Sequence, residues 1–200
     1  MKRLLIILLS LSFFSGCALV DRDVELTYHP GKIIQSGHEG KIYIEKPQDV
    51  SNIPKNKKGL KIIGNVKNSA GMETADIVTA SDIGDWIAYA YAEELAAAGY
   101  EVETILSMPE SVPKGISFSF KNLVIDTDMG FMTLGGVAEV SFDVIIWGDD
   151  EKIATVRVEG KGQERSAVIS NELYGVAARN ALTDAVSNSL PRIIKILEED

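Results

Sequence analysis

The chain has one cysteine, two histidines and no apolar run long enough to cross a bilayer, and each shortage removes a class of function. With Cys17 alone there is no intramolecular disulfide, and stability has to come from a packed core. His29 and His38 come without further nitrogen, sulfur or carboxylate ligands at metal-binding spacing, so no metal site is expected and both read as solvated side chains. Positive charge is also scarce. Twenty Lys and Arg face 29 Asp and Glu, a net charge of −9, which makes nucleic acid a poor partner. The chain contains no G-x-S-x-G elbow, no G-x-x-x-x-G-K-[ST] loop and no H-E-x-x-H pair, so no catalytic residue and no cofactor is assigned and an enzyme is not expected. Carboxylates brought together from distant segments would be the remaining route to catalysis.

What is present begins at the N-terminus. Lys2 and Arg3 precede an apolar run from Leu4 to Phe14, interrupted only by Ser10 and Ser12, and small residues follow. A charged start, a short apolar stretch and a small-residue cleavage site make a secretory signal, and the run falls short of the roughly 20 residues a spanning helix needs. Phe14-Ser15-Gly16-Cys17 resembles the lipobox of bacterial lipoproteins, with Phe14 where leucine is commonest. The resemblance implies cleavage before Cys17, acyl chains on Cys17 and residence in a membrane facing the periplasm. Ala18 follows the cysteine where the inner-membrane retention signal of enteric bacteria has aspartate, which favours the outer membrane. Residues 1–16 are thus a signal peptide, 17–40 a lipidated N-terminus with a tether and a short first strand, and 41–200 a single domain.

Alternation places short strands at Val24, Leu26 and Tyr28 and at Lys41 to Lys46, with a polar loop from Gln48 to Lys58. Apolar runs at Leu60 to Val66 and at Ile77-Val78 form a hairpin-like pair. Ile83, Ile87, Tyr91, Leu95 and Ala98 make one helical stripe over Asp82 to Ala98, with Ser81 as N-cap and Gly99 closing the C-terminus. Trp86, beside the stripe, reads as core packing. Val102 to Leu106 returns as a strand. Ile116, Phe118 and Phe120 then alternate, and the apolar phase shifts at Leu123 and Ile125, as a bulge produces. Asp126-Thr127-Asp128-Met129-Gly130 has the glycine one place early for a calcium loop and Val137 at the twelfth position, so it reads as a polar turn. Ala138, Val140, Phe142, Val144 and Ile146 pair with Ala154, Val156 and Val158 across a turn at Gly148 to Glu151. The last helix starts at Ser170 or Asn171. At Pro191 it either kinks or gives way to a second short helix capped by Ser189.

These elements predict an α+β two-layer sandwich, a mostly antiparallel sheet with two helices on one face. The Asp23-to-Tyr28 strand, the Ile63-to-Asn68 and Gly71-Met72-Glu73 stretches, and the helix end Glu94-Leu95-Ala96-Ala97-Ala98-Gly99-Tyr100 resemble the YajG-like family of bacterial lipoproteins. That resemblance implies a small lipid-anchored envelope protein without established catalysis. The expected function is a non-catalytic interaction module with an envelope protein as partner; the alternative is a binder of a small or lipidic ligand between helices and sheet. Gly64 to Glu73 holds more polar groups than a hairpin turn requires. Lys67, Asn68, Met72 and Glu73 are therefore the candidate partner-binding residues, with turn geometry as their competing role.

Overall fold

The computed structural model of the chain describes residues 20–31, 37–47, 50–109, 111–129, 134–167 and 170–199. Cys17 and the stretch before it lie outside these residues. Eight strands, β1 (Arg22–Asp23), β2 (Lys41–Glu45), β3 (Lys61–Lys67), β4 (Glu73–Thr79), β5 (Glu101–Ile105), β6 (Lys114–Met129), β7 (Leu134–Gly148) and β8 (Glu151–Ser166), form one open sheet. Among the described residues two α-helices accompany it: α1 (Ile83–Ala98) and α2 (Asn171–Glu199). No helix among the described residues is long and apolar enough to cross a membrane.

The sheet forks at β6. One edge of β6 pairs antiparallel with β7, and β7 with β8. On the other edge, Gly115 and Ile116 pair with β2 while Ile125 and Asp126 pair with β3, both parallel. β2 continues to β5 in parallel, β3 to β4 antiparallel, and β4 to β1 in parallel. The sheet is mixed: its long ladders, β6 with β7 and β7 with β8, are antiparallel as expected, and the shorter parallel pairings depart from that expectation. The partners in each parallel pair lie far apart in sequence, and local alternation carries no information about such pairings.

Local chemistry explains the ends of the elements. The β7–β8 hairpin turns on Asp149 and Asp150, with φ of 43° and 71°, the positive values a tight twisted hairpin demands. The apolar phase shift in β6 is a bulge at Lys121, between the pairs Phe120 with Phe142 and Asn122 with Ser141. Helix α1 is capped by Asp82 rather than Ser81: the Asp82 carboxylate accepts from the Asp85 N–H at 2.9 Å. Ser81 is engaged elsewhere, its hydroxyl accepting from the Leu26 N–H. Gly99, at φ 114°, closes the helix, with Gly99 N–H donating to Ala96 and Tyr100 N–H to Leu95. Helix α2 runs unbroken through Pro191. Ser189 therefore caps nothing; its hydroxyl bonds back to the Ala185 carbonyl and to the Tyr91 hydroxyl.

The inward side of β7, from Gly136 through Val144, meets both helices. Tyr91 of α1 packs against Phe118 and Phe142. Helix α2 approaches β8 so closely that a Cβ on Gly160 would lie 2.1 Å from the Ala181 carbonyl oxygen, and one on Gly162 equally close to that of Ala177. Small residues on both elements permit that approach. The N-terminal segment belongs to this core. Val24, Leu26 and Tyr28 alternate inward and are buried, although the strand register with β4 covers only Arg22 and Asp23, with Val24 N–H donating to the Val78 carbonyl.

Candidate functional site

The four candidate residues converge on the β3–β4 connection. Asn68 builds the turn: its carboxamide oxygen accepts from the Ala70 and Met72 N–H groups at 3.0 Å each, and its N–H donates to the Met72 carbonyl at 2.9 Å. Gly71 takes φ 77°, where a side chain would be strained. Lys67 pairs with Asp126 of β6, and that hydrogen bond raises its pKa above the ordinary lysine value. Glu73 accepts from the Asn65 amide at 3.3 Å. Met72 stands at the tip, 61% exposed, and does not plug the end of the sheet. Three of the four thus hold the hairpin, and the fourth is an apolar side chain presented to solvent. Asn68→Ala should cost about 1 kcal/mol, since two exposed backbone donors exchange their acceptor for water. Met72→Ser should leave the melting temperature in place, and paired thermal melts check both.

Asp126 to Asp128 is strand, not the expected turn. Asp126 pairs with Lys67, Asp128 with Arg165, and the Thr127 hydroxyl lies 3.0 Å from that of Tyr174. Gly130 lies outside the described residues. No group of three His, Cys, Asp or Glu among the described residues is arranged to hold a metal ion. Of the two histidines, His29 is exposed, whereas His38 stacks on Tyr100 at 5.3 Å and pairs with Glu198. The solvated reading fails for His38 because the two rings exclude water from one another.

Sequence reasoning missed a buried polar cluster. Glu94 is fully buried, with Oε1 accepting from the Tyr28 hydroxyl at 2.6 Å and the Gly31 N–H at 2.7 Å. The signal was its spacing, three residues after Tyr91 and four before Ala98, which puts it on the inward stripe of α1. Burial, then the Glu94 hydrogen bond and charge, hold the Tyr28 pKa far above normal. Burial likewise raises Tyr91, and Tyr100 is pushed up to about 12 by burial and by Glu198. The Trp86 indole donates to the Thr27 carbonyl at 3.0 Å, so it clamps the N-terminal segment.

These tyrosines predict an alkaline limit. Unfolded tyrosine releases its proton near pH 10, whereas the folded groups keep theirs. Above that pH the unfolded state binds fewer protons, so stability falls as pH rises, by up to about 1.4 kcal/mol per pH unit for Tyr91 and by less for Tyr28 and Tyr100, which solvent screens more. Melting temperatures across pH 9 to 12 should stay level to about 10 and then decline, less steeply for Tyr91→Phe. A level profile across the whole range would contradict the assignment.

Two surface grooves flank these elements. One, of about 470 Å³, runs between residues 23–29 and the first turns of α2, with Asp23, Glu25, His29, Glu172 and Arg179 on its walls. The other, of about 380 Å³, fills the fork beside the β6 bulge, between Ile53-Pro54 and Phe120 to Val124.

No family model and no curated protein matches the chain. Among solved structures it is similar to a Xanthomonas campestris protein of the DUF330 family, with 15% identity over 90% of this chain and 96% of that one and a TM-score of 0.49. A Helicobacter pylori protein described as a homolog of the neuraminyllactose-binding hemagglutinin gives 12% identity, coverage of 86% and 96%, and a TM-score of 0.43. An uncharacterized protein gives 9%, 88% and 97%, and 0.41.

Proposed function

We propose that the chain is a lipid-anchored bacterial envelope protein of YajG-like character. Acyl chains on Cys17 hold it at the outer membrane facing the periplasm, and its two-layer domain works as a non-catalytic interaction module. The observation that carries this reading is the run from Lys2 to Cys17, a charged start and short apolar stretch ending in a lipobox-like tetrapeptide around the chain's one cysteine. The polar groups that the fold brings together support the non-catalytic part. Tyr28 with Glu94, Tyr91 with Ser189, Thr127 with Tyr174 and Lys67 with Asp126 each tie one element to another. The Met72 tip is the partner contact in this reading. Against a ligand between helices and sheet stands the close fit of α2 on Gly160 and Gly162.

Cys17→Ser tests the anchor. The variant should keep its melting temperature and move to the soluble periplasmic fraction, or remain unprocessed. A cleaved Cys17→Ser protein that still sediments with membranes would overturn the proposal.

A further inference from the structure

Three lysines without an acid partner among the described residues stand within four consecutive positions of this acidic molecule. Lys55, Lys57 and Lys58 are exposed on the connection into β3, and no carboxylate among the described residues pairs with them. Lys41, Lys46, Lys67, Lys121, Lys161 and Lys195, by contrast, each pair with an acid. The connection is a built turn. The Asn56 carboxamide oxygen accepts from Lys58 N–H at 2.9 Å and Leu60 N–H at 3.1 Å, and Asn56 N–H donates to the Leu60 carbonyl at 2.9 Å. The same Asn56 reaches the N-terminal end of the described residues, its Nδ2 lying 3.3 Å from the Asp21 carboxylate.

Asp21 is four residues after Cys17, so at most about 14 Å of extended chain separates their Cα atoms. Acyl chains on Cys17 would therefore bring this turn down to the bilayer surface. We propose that Lys55, Lys57 and Lys58 form the membrane-facing contact of the domain, binding the anionic phospholipid head groups of the leaflet that holds the acyl chains. The inference rests on the lipid-anchor reading of Cys17. Three compact ammonium groups within a Debye length of about 8 Å of an anionic surface are attracted to it, while the acidic remainder of the molecule is repelled. The domain is thereby oriented. Lys61 and Lys67 mark the two ends of β3, so the Met72 tip stands about 20 Å along the strand from the lysine turn.

The test uses the full-length lipidated protein inserted into preformed vesicles of phosphatidylcholine, with or without phosphatidylglycerol. An amine-acylating reagent is added outside and modification is read lysine by lysine by mass spectrometry. Lys55, Lys57 and Lys58 should react about threefold or more slowly on the phosphatidylglycerol vesicles, with Lys152 and Lys195 unchanged, and molar salt should abolish the difference. Protein that floats with both vesicles and is labelled equally on both keeps its anchor and loses the lysine contact. Protein that floats with neither loses the anchor and this proposal with it.

Discussion

Phe142→Ala should lower stability by about 3–5 kcal/mol, the range for emptying a buried phenylalanine site. The ring is 0% exposed. It meets the Tyr91 and Phe118 rings edge-on, each at 6.0 Å between centroids, so its loss opens a void bounded by a helix and two strands. Tyr91 cannot follow it inward without leaving the Ser189 hydroxyl, 2.7 Å from its own. Relaxation is therefore limited, and the cavity cost is paid nearly in full. At about 2–4 °C per kcal/mol for a domain of this size, the melting temperature should fall by about 10 °C. A melt unchanged by the substitution would place Phe142 outside the core and reverse the orientation of β7.

Gly64→Ala should be comparably damaging for the opposite reason. A Cβ there would lie 1.7 Å from the Ile125 carbonyl oxygen, and no rotamer relieves a methyl group set against backbone. β3 and β6 share only the pairs Gly64 with Ile125 and Asn65 with Asp126, so separating them by the required distance removes that arm of the fork. The expected cost is about 3 kcal/mol, at the upper end for overpacking. Hydrogen exchange distinguishes this from a general loss of stability. Amides of β3 and β4 should exchange faster in the variant than those of β7, and uniform acceleration would mean that the two arms do not open separately.

The elements most legible in the sequence are those whose determinants are local. Gly99 marks the end of α1 because only glycine takes the left-handed conformation there without strain. The β7–β8 alternation and the phase shift at Lys121 are written in consecutive residues. Pairing between distant strands is not, and β5 beside β2 in parallel has no local signature. Asp126 to Asp128 looks like a turn because acids favour turns; cross-strand cations at Lys67 and Arg165 override that preference. At the candidate site, the polar excess from Gly64 to Glu73 is real, yet most of it closes the hairpin and fastens it to β6. Of the four candidates, only Met72 retains the freedom that the composition suggested for the whole stretch. Glu94 was hidden by its type: a carboxylate on an apolar stripe reads as an interruption until its partners, Tyr28 and the Gly31 N–H, arrive from a segment more than sixty residues away.

The way residues 20–28 enter the domain sets its response to mechanical load. Tension applied at Val20 does not pull on a loose end. It meets β1 on β4, then Val24 N–H on the Val78 carbonyl, Leu26 N–H on the Ser81 hydroxyl, the Trp86 indole on Thr27, and Tyr28 on Glu94. These fastenings follow one another along the chain, so a pulling force has to release them in sequence from the outside inward. The outermost are exposed and easily broken, while the last is a buried hydroxyl–carboxylate bond in the floor of the core. Val24, Leu26 and Tyr28 are themselves core residues, so each release would also expose apolar surface, and load on Val20 would be borne by the folded domain.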